Sequence, residues 1–285
     1  MDENKANAGS RSVAAGGKHV VLAPNQGASG LADPAAALTV SSTGRLCLFG
    51  EHSDWAADYG KHRGCCLVVG TDQSIKALVR RSDRFIVESP IPDEFGRYSG
   101  RSRQMSCDWW AKTLREAAQD DSEFFRYCAG VAHEMLGQFA LPHGLDIRIT
   151  DMDLPLRKGV SSSAAVCILV AHAFNRFFDL KMFPHEIMEV AYQGERLTGS
   201  QCGRMDQACI YGKTPVLLIF EKSKEVKIEP IFPSKNLFLF FVDLGGKKDT
   251  VAILNGLQGG YPDDVGIQEA LGASNERTVR SACTL

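Results

Sequence analysis

Apolar positions along this chain follow two periods. Over 37–50 ("ALTVSSTGRLCLFG"), 64–81 ("GCCLVVGTDQSIKALVRR") and 84–89 ("RFIVES"), β-branched and aromatic residues crowd short runs broken by polar turns, which predicts strands. Residues 143–151 ("HGLDIRITD") alternate, with Leu145, Ile147 and Ile149 on one face, the pattern of a half-buried strand at a sheet edge. A helical period takes over at 121–141, where Phe124, Cys128, Val131, Met135, Leu136 and Phe139 share a face. It returns with Val166, Leu169, Val170, Ala173, Phe174 and Phe177, and again over 183–199, with Pro184 in the first turn. "PVLLIFE" (215–221) and "EVKIEPIF" (225–232) predict paired strands and "NLFLFFVDLGG" (236–246) a buried one. Residues 249–258 and the last twenty residues predict helices.

Strands and helices cluster instead of alternating strictly, so an α+β fold is expected, not a doubly wound sheet. Residues 1–37 are rich in Ala, Gly, Ser, Asn and Pro and carry no period, the composition of a disordered tail.

The bulk numbers narrow the function classes. A chain of 285 residues, 44% hydrophobic, is enough for one large or two smaller domains. A net charge of −2 argues against nucleic acid as a partner. No run approaches the roughly 18 apolar residues of a membrane span. Nine cysteines, an odd number without a C-x-x-C pair, point to a reducing compartment and away from disulfides or a zinc site. The opening "MDENKANAGS" is no secretory signal, so a soluble cytoplasmic protein is expected.

Three polar clusters interrupt the apolar pattern. In "PLRKGVSSSAAVCILVAHAF" (155–174), three serines precede an apolar helix. One serine suffices as a helix cap. The alternative is an anion cradle: Gly159 lets the chain turn, and the amides of Gly159, Val160, Ser161, Ser162, Ser163 and Ala164 face a phosphate at a helix N-terminus. In "GRLCLFGEHSDW" (44–55), a strand delivers Glu51, His52 and Asp54 within four residues. That set suits a polyol, or is simply a polar turn. In "GERLTGSQCGRMDQACIYG" (194–212), Glu195 ends a helix and Asp206 stands among Met205, Cys209 and Ile210, as a helix cap or as a functional carboxylate.

Together these segments resemble the galactokinase, homoserine kinase, mevalonate kinase and phosphomevalonate kinase superfamily, the GHMP kinases. "GRLCLFGEHSDW" is similar to its first motif, "PLRKGVSSSAA" to its P-x-x-x-G-L-S-S-S-A-A phosphate loop, and "CGRMDQ" to the segment of its catalytic aspartate. The resemblance runs over roughly 40–260. It implies an N-terminal ATP-binding domain at 38–233 (ribosomal protein S5 domain 2-like) and part of a C-terminal α/β domain at 234–285.

It also implies roles. Gly159 to Ala164 would wrap the phosphates of ATP, with Ser163 and Glu195 on Mg²⁺. Asp206 would act on the acceptor hydroxyl beside Arg45, and Glu51, His52 and Asp54 would hold a sugar, as G-E-H-S-D resembles the galactokinase form. Trp55 replaces the usual Tyr and would reshape that pocket. The family's glycine-rich third motif does not occur, so the C-terminal domain is expected to be incomplete. The implied activity is Mg²⁺-dependent phosphorylation of a small molecule, most closely a sugar. The alternatives are a mevalonate-kinase-like activity or a non-catalytic ATP/sugar sensor. Lys247 and Lys248 read as a solvated loop, with contact to a phosphate or sugar as the alternative.

Overall fold

The computed structural model describes residues 37–92, 98–155, 158–221, 226–242 and 250–284. Strand β1 (Leu38–Phe49) leads into a short helix α1 (Ser53–Ala56) and a 3-10 turn, Ala57–Tyr59. Then come β2 (Gly64–Ser82), β3 (Arg84–Pro92), β4 (Tyr98–Asp108), α2 (Ala111–Gln119), α3 (Arg126–Gln138) and β5 (Gly144–Met152). Helices α4 (Ser162–Phe177) and α5 (Pro184–Leu197) precede a second 3-10 turn, Asp206–Tyr211, and β6 (Val216–Phe220) and β7 (Val226–Pro230) follow it. Helices α6 (Thr250–Gly260), α7 (Val265–Leu271) and α8 (Ala273–Cys283) complete the described chain.

The strands form one sheet in the order β4-β3-β5-β2-β6-β7, with β1 also paired to β2. β2 is the spine, antiparallel to β1, β5 and β6, while β3 and β5 run parallel. Helices α3, α4 and α5 share one core with the sheet. Val79, Phe85, Ile147, Leu169 and Phe174 are buried there. Each such side chain contributes about 1.5–3 kcal/mol by leaving water. The fold is α+β, as the clustering of the two periods predicts.

Four local expectations differ from the structure. The strand 144–152 alternates as expected, but it lies between β3 and β2 instead of at an edge. The helix expected from 121 begins at Arg126, and Phe124 is exposed ahead of it, because a turn at Asp120–Phe125 is closed by Asp120 and Glu123 side chains on backbone amides. β4 carries no apolar alternation and was not legible: Met105 is its one buried side chain among those described. Most important, 236–242 is neither strand nor buried. Phe238 is 80% exposed and Phe240 90%, because no described segment pairs with them.

Of the adjacent tryptophans, Trp109 stacks on Phe174 at 5.4 Å and Trp110 is exposed. His172 is half-buried on α4, and burial lowers its pKa. Lys247, Lys248 and the expected tail up to residue 36 lie outside the described residues. No helix among the described residues is long and apolar enough to cross a membrane.

Candidate active site

The three polar clusters converge. One cleft of about 1230 Å³ is lined by Arg45, Glu51, His52 and Asp54 from the first segment and by Gly159 and Ser161 to Ser163 from the second. Glu195 and Asp206 line it from the third. Strand β1 delivers Arg45, α4 begins in the serines, α5 carries Glu195 in its last turn, and Asp206 opens the second 3-10 turn.

Arg45 is 4% exposed, and its Nε and Nη2 both donate to Oδ1 of Asp206, the former at 3.1 Å. Its Nη1 lies 3.7 Å from Glu51 Oε2. Burial opposes the guanidinium charge, yet Asp206 and Glu51 outweigh it and raise the pKa, so Arg45 is a fixed cation. The Asp206 carboxylate is thereby oriented while still partly open to the cleft.

The serine segment answers the capping question. Ser161 precedes α4 with φ 55° and ψ 51°, a left-handed conformation, and its hydroxyl makes no capping bond. A non-glycine residue held there costs of order 1–3 kcal/mol, a strain that clusters at functional sites. Gly159, at φ 82°, takes the other left-handed position, which glycine adopts without penalty. With the serines along the cleft wall, the N-terminus of α4 opens onto it.

Glu195 is 2% exposed and accepts from Gln207 Nε2 at 2.8 Å, and the Ser163 hydroxyl beside it favours its charged form. Burial, then the charge of Asp206, pushes the Glu195 carboxyl up to about 7. No cation is paired with Glu195 among the described residues, and the Gln207 Oε1 beside it is buried without a partner. Among the described residues no group of three or more His, Cys, Asp or Glu is placed to hold a metal. Mg²⁺ does not need one: it takes one or two carboxylate or hydroxyl ligands and completes its shell with water and phosphate oxygens. Ser163 Oγ and the Glu195 carboxylate fit that donor set.

Asp54 is buried deeper than a polyol contact needs. Its Oδ2 accepts the Met205 amide at 3.1 Å, and burial, then Asp206, pushes its pKa up to about 6. His52 stands at φ 70° on the cleft wall. Trp55 also lines the cleft, but its ring is packed edge-on against Tyr59 and Tyr261 at 6.3 and 5.7 Å. It is thus part of the joint between the first cluster and the α6–α7 turn.

Sequence reasoning missed Gln207 and Arg204, both buried. Their signal was available: each is a polar neighbour of Asp206 within an apolar stretch. The arrangement joins a helix N-terminus open to the cleft, a buried carboxylate–hydroxyl pair suited to a hard cation, and a carboxylate oriented by a fixed cation. These parts serve transfer of a charged group to a hydroxyl.

Comparison with known proteins agrees in family. Residues 124–213 match the GHMP kinases N terminal domain. The galactokinase of Bacillus subtilis is 31% identical over 169 residues, which is 59% of this chain and 39% of that protein. The mevalonate kinase of Methanococcus jannaschii superposes with a TM-score of 0.60 at 16% identity, covering 88% of this chain and 74% of that one. The galactokinase of Lactococcus lactis, solved with galactose, superposes with a TM-score of 0.53 at 20% identity, covering 70% and 48%. The chain spans less than half the length of the curated relatives it matches. Fold and sequence match point the same way: residues 124–213 are similar to the N-terminal domain of the GHMP kinases, and the described chain shares its fold with members of that family.

Proposed function

We propose that the chain binds ATP with magnesium and transfers its terminal phosphoryl group to a hydroxyl of a small molecule, most closely a sugar. The observation that carries this reading is the shared cleft: Asp206, oriented by Arg45, opens onto the same cavity as the serine turn and the Ser163–Glu195 pair. In this reading the amides and hydroxyls of 159–164 hold the phosphates, and Ser163 and Glu195 hold Mg²⁺, which offsets phosphate charge when bound. Glu51 and His52 hold acceptor hydroxyls, with Asp54 behind them on the Met205 amide.

The acceptor oxygen attacks the γ-phosphorus, its proton passes to the Asp206 carboxylate, and the bond to the bridging oxygen breaks to release ADP. Arg45 keeps Asp206 aimed at the acceptor. Residues 38–233 form the ATP-binding domain, and 234–285 supply part of a second one, in a soluble cytoplasmic protein. A sugar is favoured over mevalonate because the curated relatives are galactokinases and the first cluster reads G-E-H-S-D.

ADP release by the purified chain with ATP and Mg²⁺ tests this across galactose, arabinose, fucose, a heptose, mevalonate and homoserine, with Asp206→Asn as control. Acceptor-dependent release that vanishes in the control supports the reading and names the substrate class. Binding of ATP and sugar without release would make the chain a ligand sensor.

A further inference from the structure

Asp206 is the next residue after a turn, Gly203-Arg204-Met205, in which every position is held differently. Gly203 packs so closely against the Asp54 carboxylate that an added Cβ would overlap Oδ2. Met205 donates its amide to that same oxygen at 3.1 Å. Between them, Arg204 points into the protein: it is 8% exposed, with Nε donating to Glu189 Oε2 at 3.1 Å and Nη1 3.9 Å from Asp58. Its guanidinium lies 4.3 Å from the Tyr192 ring centroid. Glu189 and Tyr192 belong to α5, the helix that also carries Glu195.

We propose that Arg204 is a positioning residue: it fastens the turn before Asp206 to α5 and so sets where the catalytic carboxylate stands relative to the phosphate side of the cleft. The inference rests on the kinase reading. Three arguments carry it. First, an arginine is an expensive choice for a buried turn, and here its planar donors and flat face are matched by a carboxylate and an aromatic ring. Second, Asp54 fixes the turn to the first cluster and Arg204 fixes it to α5, so the two anchors hold it from different elements. Third, Arg204 lines a cavity of about 150 Å³ with Asp58 and Tyr192 that adjoins the main cleft through Asp54 and Gly203, and it is absent from the lining of the cleft itself. It acts through Asp206, without touching the acceptor.

Misplacing a reacting group by about 1 Å costs on the order of 100-fold in rate, so a loosened turn should lower turnover and spare binding. The experiment compares Arg204→Met, Arg204→Lys and Glu189→Gln with wild type in the full chain. Glu189→Gln loosens the contact from its more exposed partner and keeps the test valid if Arg204→Met does not fold. Steady-state kinetics and amide hydrogen exchange over 201–208 are both read. The expected result is kcat down about tenfold in Glu189→Gln and about 100-fold in Arg204→Met, with both KM values within about twofold, and Arg204→Lys between. Exchange at 203–206 should rise while the core helices keep wild-type protection.

A rise in acceptor KM at constant kcat would overturn the proposal by making Arg204 a substrate contact. Faster exchange across the whole chain would overturn it by making Arg204 a general support. A folded wild type silent toward every acceptor refutes the kinase reading instead. Faster exchange confined to 203–206 would then still uphold the fastening, and unchanged exchange would overturn it.

Discussion

Arg45 and Asp206 stand 161 residues apart in sequence and share a hydrogen bond, Nε to Oδ1, at 3.1 Å. The contact joins the first polar cluster to the third across the cleft. In the proposed reaction, Asp206→Asn keeps the shape but removes the proton acceptor, and general-base groups contribute about 10²–10⁴ in rate. Acceptor-dependent ADP release should therefore fall by about that factor, while ATP binding by calorimetry and the circular dichroism spectrum stay as in wild type.

Ser163 and Glu195 predict a trade between stability and function. Glu195 is a buried carboxylate paired with no cation among the described residues. Glu195→Gln should raise the stability of the ligand-free chain at pH 8 by on the order of 1–3 kcal/mol, read by urea denaturation. The same substitution, and Ser163→Ala, should weaken Mg²⁺-dependent ATP binding, about tenfold or more.

Asp54 predicts a pH dependence of stability. Its carboxyl titrates at about 6 in the fold, against 3.8 for a solvated aspartate. The folded state thus holds the proton more tightly, and this group destabilises the fold progressively as pH rises from about 4 through 6. Asp54→Asn keeps an oxygen for the Met205 amide and removes the charge. It should be more stable than wild type at pH 7, by at most about 3 kcal/mol, and the difference should vanish near pH 4.

Gly203 predicts a steric failure. A Cβ there would overlap Asp54 Oδ2, so Gly203→Ala must displace the turn or the carboxylate. The expected outcome is a loss of stability of about 1–3 kcal/mol together with a fall in kcat. The double variant with Asp54→Ala, which makes room, should recover part of the stability in denaturant titration.

The exposed run at 237–242 predicts stickiness. Phe238 and Phe240 present large apolar faces to solvent. Binding of a hydrophobic fluorescent dye should fall in Phe238→Asp/Phe240→Asp, and light scattering at high protein concentration should fall with it.

The sequence by itself determined the α+β class, the helix through the serines, the core faces of the major elements and the membership of the three polar clusters. These are local properties: a period of two or 3.6, a glycine before serines, carboxylates in apolar stretches. Tertiary structure decided what the neighbours of those residues are. That Glu195 meets Gln207 and Ser163, that Asp54 clasps the Met205 amide, and that Trp55 packs on Tyr261 depend on elements far apart in the chain. The place of β5 inside the sheet and the exposure of 236–242 have the same origin. Alternation tells which side of a strand is apolar, and a run of phenylalanines tells that a cover is wanted. Neither states which strand pairs beside it, because pairing is settled by loop paths and by the partners available.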